Sequence, residues 1–151
     1  MKVTSTMKPT IVPRSGCPIA TSLDLLGDRW TLVIVRDLLN GKSRYAELAS
    51  SPEGIPSNVL AARLKQMEAT GLIARRPYQD RPVRFAYALT ARGSRLLPVL
   101  QALCRWANVE FPATWRAPAA FMRRRPPKPA TLTPRARRRP RSAGRDRGSA
   151  P

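Results

Sequence analysis

Residues 59–90 have the sequence VLAARLKQMEATGLIARRPYQDRPVRFAYALT, and this stretch carries the clearest structural pattern in the chain. Its first half places Leu60, Leu64 and Met67 at i, i+4 and i+7, which is the spacing of one apolar helix face. Ser57 or the residue before it opens this helix, and Gly71 is placed to end it. The first half is therefore predicted to be an amphipathic helix.

The second half predicts a hairpin. From Val83 to Leu89, large apolar side chains alternate with arginine and alanine, a period of two that indicates a half-buried strand. A preceding strand is predicted from about Ile73 to Tyr78, with residues 79–82 as the turn. The hairpin holds four arginines and one acid. A helix followed at once by a cationic hairpin is the order in which a winged helix meets a DNA groove and its flanking phosphates.

Capping residues on either side predict further helices. Pro18 fits the first turn of a helix, Asp28 is placed as the N-cap of a second, and Ser43 as the cap of a short third. Thr90 is placed to cap a long final helix. Pro98 should kink that helix, because proline inside a helix costs roughly 3 kcal/mol.

The chain is predicted to have three parts. Residues 1–14 are polar and proline-punctuated, which favours a flexible arm. Residues 15–115 form one domain of α+β class, mostly α, with a two-stranded wing. Residues 116–151 are dominated by arginine, proline and alanine and cannot bury enough apolar surface to offset their ordering entropy, so this tail is predicted to be disordered.

Composition narrows the possible functions. The chain has 28 Lys and Arg residues against nine acids and no histidine. Such a cationic chain suits a polyanion, above all nucleic acid. The lack of histidine excludes Ser-His-Asp and Cys-His catalysis, and no metal or cofactor motif is present. Two distant cysteines and the lack of a bilayer-length apolar run predict a cytoplasmic protein, associated with the nucleoid and not with a membrane.

A series of landmarks resembles the HxlR-type branch of the MarR-like winged helix-turn-helix transcriptional regulators. The resemblance covers about residues 15–112, with all landmarks in the family's order. They are Cys17-Pro18, Gly27-x-x-Trp30, Arg44-Tyr45-x-Glu47-Leu48, Gly54-Ile55-x-Ser57-Asn58-x-Leu60-x-x-Arg63-Leu64-Lys65, Gly71-Leu72-Ile73, Tyr87-x-Leu89-Thr90-x-x-Gly93, and Pro98-Val99-Leu100 followed by Trp106.

The resemblance implies a homodimeric transcriptional regulator, more often a repressor, that binds a pseudo-palindromic double-stranded DNA operator. It implies that terminal helices form the dimer interface. A second apolar stripe on the last helix, beside the one that covers the core, supports this independently. The residues expected in the interface are Leu97, Leu100, Cys104 and Phe111.

The expected DNA contacts lie on the helix of the opening stretch, on the wing and at the start of the third helix. The leucine stripe of this helix is expected to be buried, so its other side chains are exposed and can contact base edges. The arginines of the wing can bind phosphate. The alternative is an ordinary solvated surface, and Arg63 could equally be a structural ion-pair partner. The candidates are Arg44, Ser57, Asn58, Ala61, Ala62, Lys65, Arg81 and Arg84.

Two further hypotheses concern regulation and the tail. Cys17 precedes a helix start, where the dipole favours a reactive thiolate, and some family members sense oxidants through a cysteine at this place. The alternative is a small residue packed at the dimer interface. Response to a small-molecule effector is a further hypothesis. For the tail, one hypothesis is that it raises affinity for DNA without adding specificity, and the alternative is that it is a by-product of an Arg/Ala/Pro-biased genome. In a competing function, the chain is a non-specific nucleic-acid-binding or architectural protein that uses its basic tail.

Overall fold

The order of the secondary-structure elements agrees with the predicted class. The structure, a computed structural model, describes residue 12 and residues 14–127. Within these residues the elements are helices and one two-stranded antiparallel sheet, so the α+β, mostly helical winged helix-turn-helix class is confirmed. The elements are α1 (Pro18–Leu26), α2 (Thr31–Leu39), α3 (Tyr45–Ala49), α4 (Ser57–Ala69), β1 (Ile73–Asp80), β2 (Val83–Leu89), α5 (Ala91–Ser94), α6 (Leu97–Glu110) and α7 (Ala119–Arg123).

Two helix starts differ from the prediction. The N-cap position of α2 is Trp30, and Asp28 acts from further out: its Oδ1 accepts from the backbone N–H groups of Trp30 and Thr31, at 2.8 and 2.9 Å. The N-cap of α3 is Arg44 and not Ser43. Glu47 Oε2 accepts from both of their backbone N–H groups, at 2.7 Å from Ser43 and 2.8 Å from Arg44. Both starts therefore use a carboxylate, the strongest acceptor available for unpaired amides.

The core lies where α2, α4, the base of the hairpin and α6 meet. The stripe of α4 predicted to be buried is buried, and Gly71 ends that helix at φ +72°. Each large side chain removed from water here contributes about 1.5–3 kcal/mol to the hydrophobic driving force. The most deeply buried side chains are Ile34, Val35, Leu48, Leu60, Leu64, Met67, Leu72 and Ile73.

The hairpin is longer than predicted. Gln79 and Asp80, expected in the turn, pair with Arg84 and Val83, so Arg81 and Pro82 alone form the tip. The register shifts between Pro77 and Gln79, so the strand tolerates its proline next to an irregularity. The prediction of a four-residue turn was wrong because pairing across the shift extends the ladder.

The predicted long final helix is two helices. Thr90 caps the short α5 by accepting from the backbone N–H of Gly93 at 3.1 Å. The chain then turns and α6 begins at Leu97. Pro98 therefore lies in the first turn of α6, where its missing N–H would have no helical partner, so the predicted kink and its cost are wrong.

The predicted disordered tail, residues 116–151, starts too early, because a further helix lies after residue 116. Residues 116–127 are described, and α7 packs against the domain with Phe121 buried. Gln101 Nε2 donates to the carbonyl oxygens of Phe121 and Arg124, both at 3.0 Å, and Arg124 Nη1 donates to the carbonyl oxygen of Leu39 at 2.7 Å. Residues 128–151 and most of the predicted arm, residues 1–11 and 13, lie outside the described residues.

Candidate DNA-binding surface

A hydrogen bond fixes α3 against the start of α4. The Tyr45 hydroxyl donates to the backbone carbonyl oxygen of Ser57 at 2.8 Å. Beneath this bond, Leu48 of α3 and Ile55 of the connecting loop are buried. The two helices and their loop thus form one unit whose second helix has a defined position on the core.

The outward face of α4 carries small and polar side chains. The inward positions Leu60, Leu64 and Met67 are buried, so the opposite face meets solvent. The structure therefore brings five of the predicted contact residues to one exposed helix face of the size that a major groove accepts. These residues are Ser57, Asn58, Ala61, Ala62 and Lys65.

The wing stands beside this helix with charged residues exposed. Arg81 at the tip and Arg84 in β2 are exposed, as the sequence predicts. Arg75 at the base is engaged within the fold: its Nε lies 3.2 Å from Glu68 Oε1 of α4, and its guanidinium lies 4.4 Å from the ring centroid of Phe85. Arg75 therefore ties the wing to α4, and Arg81 and Arg84 remain available to an anion.

Arg44 joins α3 to the wing. Its backbone pairs with Ala86 as an isolated bridge, and the backbone N–H of the neighbouring Tyr87 donates to the carbonyl oxygen of Ser43 at 2.7 Å. The Arg44 guanidinium lies 4.7 Å from the ring centroid of Tyr78. Arg44 and Arg84 line one groove of about 540 Å³ between α3 and the wing, so tertiary structure places two predicted contacts side by side.

Arg63 is a structural residue. Its Nη1 lies 3.5 Å from Asp28 Oδ2 and donates to Gln66 Oε1 at 2.7 Å. Burial raises the pKa of the Asp28 carboxyl, but hydrogen bonds from Thr31 and the backbone of Trp30, with the Arg63 charge, hold that pKa below its usual value. Of the two interpretations that the sequence left open, the ion-pair partner is the one the geometry supports.

The sequence gives no signal for a buried polar cluster centred on Asp37. This carboxylate is 3% exposed and accepts from Arg36, Lys42 and Ser51. Burial raises the pKa of Asp37, and the hydrogen bonds outweigh it and hold the pKa below its usual value. Because Lys42 and Ser51 are five and 14 residues away, no local motif predicts the cluster.

The Asp37 cluster reaches the loop before α4 through a second carboxylate. Arg36 Nη2 donates to Glu53 Oε2 at 2.9 Å as well as to Asp37. Hydrogen bonds to Glu53, stronger than the opposing effect of burial, raise the pKa of Arg36 above its usual value. The core helix α2 is thereby linked by charged contacts to the loop that positions the outward helix.

The predicted interface residues separate into different environments. Leu97 and Leu100 are buried within the chain's own core, so the stripe expected to be surplus is partly core. Cys104 is half-buried and Phe111 is 54% exposed. Of the four predicted residues, only Phe111 is among the exposed apolar side chains of α1, α6 and the segment after α6. These side chains are Ile19, Leu23, Val99, Leu103, Trp106, Val109, Phe111 and Trp115. Cys17 is exposed at the start of α1.

Two helices are joined by a short loop, and the second presents a face of small and polar side chains beside a basic hairpin. This arrangement defines a DNA-binding winged helix protein. Residues 25–114 match the family model described as HxlR-like helix-turn-helix, and the chain belongs to this family. It is therefore a helix-turn-helix transcriptional regulator and not an enzyme. No helix in residues 14–127 combines the length and apolar character that crossing a membrane requires.

Individual relatives agree with the family assignment. The chain is 37% identical to the HTH-type transcriptional regulator YvaP of Bacillus subtilis over 93 residues. These residues cover 61% of this chain and 86% of YvaP. The reduced form of the transcriptional regulator YodB from B. subtilis superposes with a TM-score of 0.53 at 33% identity, covering 62% of this chain and 93% of YodB. The redox regulator HypR in its oxidised form gives a TM-score of 0.56 at 28% identity over 62% of this chain and 96% of HypR.

Proposed function

We propose that the protein is a homodimeric repressor that recognises a pseudo-palindromic operator through α4 and the wing. The observation that carries the proposal is the exposed face of α4, polar and small, standing beside exposed arginines of the wing while the leucine stripe behind it is buried. In cells we place it in the cytoplasm, at the nucleoid.

Each part of this surface has a proposed role. Ser57 and Asn58 lie in the first turn of α4, where backbone N–H groups and the helix dipole favour phosphate and where side chains reach base edges. Ala61 and Ala62 allow close approach and contact thymine methyl groups, and Lys65 binds phosphate. The DNA backbone or the minor groove next to α4 is contacted by three arginines, Arg44, Arg81 and Arg84.

A homodimer accounts for the exposed apolar surface. Side chains such as Leu23 of α1 and Trp106 of α6 are more than half exposed in the single chain. Such surfaces are typical of protein interfaces. A two-fold pair can place its two α4 helices in successive major grooves, about 34–36 Å apart. We therefore propose the exposed faces of α1 and α6 as the interface, with Phe111 in it and Leu97 and Leu100 supporting α6 from within.

We also propose that the protein is regulated through the thiol of Cys17. Cys17 is exposed beside the proposed interface, and both YodB and HypR have been described in two redox states. Oxidation of Cys17 would change operator affinity by changing how α1 packs in the dimer. A gel shift with the thiol oxidant diamide, comparing Cys17→Ser with the matched Cys104→Ser, tests this. An oxidant effect that survives Cys17→Ser would exclude it.

The main proposal is tested by selecting an operator from random duplex DNA. We expect an inverted repeat with a specificity ratio over random DNA of about 10³ or more. Asn58→Ala and Lys65→Ala should weaken operator binding, whereas the matched control Arg123→Ala, an exposed arginine on α7, should not. A reporter fused to a promoter carrying the operator distinguishes repression from activation.

The competing function predicts a different result. If the chain is a non-specific or architectural protein that binds through its basic tail, selection yields no consensus. A chain shortened after residue 127, which keeps α7, then loses most of its affinity. If the tail only adds affinity, shortening lowers the salt slope by about 0.9 per lost phosphate contact and leaves the consensus unchanged.

A further inference from the structure

A cavity of about 350 Å³ lies between α2, α6 and the segment that leads into α7. The volume falls within the range of small-molecule sites, about 300–1,000 Å³, which are mostly apolar with a few polar groups. Its walls are almost entirely apolar. The lining residues that decide its character are Leu32, Val33, Leu100, Cys104, Ala117 and Phe121, with Arg36 and Asn40 at the polar side.

The charge at this cavity is already neutralised. Arg36 is the charged residue among those that line it, and its guanidinium donates to the carboxylates of Asp37 and Glu53. An anion would have to compete with these two partners. The Asn40 amide can supply one hydrogen bond. The cavity therefore suits an uncharged compound with an aromatic or cyclic apolar body and few polar groups.

The third wall lies outside the residues that match the family model. The family match ends at residue 114, and Trp115, Ala117 and Phe121 lie beyond it. This wall is held in place because Gln101 donates to the carbonyl oxygens of Phe121, Met122 and Arg124, and because Phe121 is buried. The cavity is therefore closed on this side by residues that follow the matched range and are fixed by hydrogen bonds to α6.

The cavity also contacts the loop that positions α4. Arg36 lines the cavity on one side and donates to Glu53 of that loop on the other. A compound that shifts the Arg36 side chain changes this contact, and the loop leads directly into Ser57. The path from cavity to the outward helix therefore consists of one side chain and one ion pair.

We infer that this cavity binds an uncharged aromatic or cyclic apolar compound and that the bound compound changes operator affinity through Arg36. The second half of this inference rests on the proposed function. A compact pocket within one chain, walled on three sides, favours a small molecule over a polypeptide segment.

Binding is tested without DNA, so that its failure is distinct from a failure of operator recognition. The probe is N-phenyl-1-naphthylamine, an uncharged compound that fluoresces in apolar surroundings, titrated into the full chain. Ala117→Phe fills the cavity, and Ala120→Phe places the same side chain at an exposed position of α7. We expect saturable binding that Ala117→Phe weakens about tenfold or more and Ala120→Phe leaves unchanged.

Equal affinity in both variants would overturn the binding site. Since Ala117→Phe could disturb folding, alkylation of Cys104 in the Cys17→Ser chain gives an independent measurement. Bound probe should slow the reaction of Cys104 with N-ethylmaleimide, and an unchanged rate also counts against the site. Probe affinity that rises on dilution of the protein into monomers would show that a second copy occupies the cavity, which overturns the inference as well.

Coupling is tested with the selected operator. Saturating probe should change the operator Kd by about fivefold or more, within the usual range of coupling free energies. Glu53→Gln, which removes one carboxylate partner of Arg36, should reduce that change while probe affinity stays the same. Probe binding with no effect on operator affinity would overturn the regulatory half of the inference.

Discussion

The hydroxyl of Tyr45 donates a hydrogen bond to the backbone carbonyl oxygen of Ser57, with the two oxygen atoms 2.8 Å apart. Ser57 is the first residue of α4. The bond therefore connects α3, the first helix of the helix-turn-helix unit, to the N-terminal end of α4, where polar side chains lie. It fixes the direction in which α4 leaves the loop. A small shift at this point would move every side chain on the outward face.

Tyr45→Phe should weaken operator binding without unfolding the protein. The ring and its packing remain, and a partly exposed hydrogen bond is lost, which is worth about 0.5–1.5 kcal/mol. We expect operator affinity to fall by about two- to tenfold in a fluorescence anisotropy titration. Tyr78→Phe, the same change at an exposed tyrosine of the wing, is the matched control. Equal losses in the two variants would contradict a specific role for the Tyr45 bond.

Asp37→Asn should be strongly destabilising. The substitution keeps the side chain's size but removes the charge that Arg36, Lys42 and Ser51 surround, and breaking one side of a buried ionic cluster costs about 3–5 kcal/mol. Arg36 and Lys42 keep partial contact with water, so we expect the free energy of unfolding, measured with urea, to fall by about 2–4 kcal/mol. Asp24→Asn removes an exposed pairing with Arg14 and should cost less than about 1 kcal/mol. Similar costs for the two variants would show that Asp37 is not a structural centre.

Stability should fall in acid because several carboxyls are ionised more readily in the folded state. The pKa values of Asp28 and Asp37 lie below the ordinary 3.8, since hydrogen bonds outweigh the opposing effect of burial. Their stabilising contribution is complete above pH 3.8 and is lost as pH falls through the lowered values, because the unfolded chain then binds more protons. Urea midpoints measured from about pH 6 to about pH 3 should decline most steeply below about pH 4. Asp37→Asn should flatten that decline, and an unchanged slope would contradict the assignment.

Arg81 should contribute to operator affinity, whereas Arg75 should contribute to the stability of the fold. Arg81 is exposed at the tip of the wing, so Arg81→Ala should reduce the salt slope of operator binding by about 0.9 with little effect on Tm. Arg75 pairs with Glu68 and lies over Phe85, so Arg75→Ala should cost about 0.5–2 kcal/mol of unfolding free energy. An unchanged slope in Arg81→Ala would remove the wing tip from the proposed contacts.

Gly93 should not tolerate a side chain. A Cβ there would lie 2.1 Å from the carbonyl oxygen of Leu72 and 2.9 Å from Leu89 Cδ2, so α5 could not stay packed against the hairpin base. We expect Gly93→Ala to lower stability by about 1–3 kcal/mol in thermal or urea unfolding. Gly16→Ala is the control, because no heavy atom lies within 4 Å of its Cβ position. Matching midpoints for the two variants would mean that α5 can move away without cost.

Patterns with a short period predicted the parts of the fold that depend on neighbours in the chain. The buried stripe of α4 and the glycine stop of Gly71 are confirmed, because a helix repeats every three to four residues. The ends of elements were less well predicted. Arg44, and not Ser43, begins α3 because Glu47 reaches back to both backbone amides, and the hairpin extends past its expected turn because pairing continues beyond the register shift.

The sequence by itself determined the winged helix-turn-helix class, the family, and which face of α4 is polar, since each follows from the order and spacing of residues along the chain. Tertiary structure alone decided that Leu97 and Leu100 belong to the chain's own core, that Arg63 is a structural partner of Asp28, and that the segment around Phe121 is folded. Burial and ion pairing depend on what packs against a side chain, and the partners here lie far away in sequence. Gln101 meets the carbonyl of Phe121 20 residues later, a contact that no local periodicity encodes.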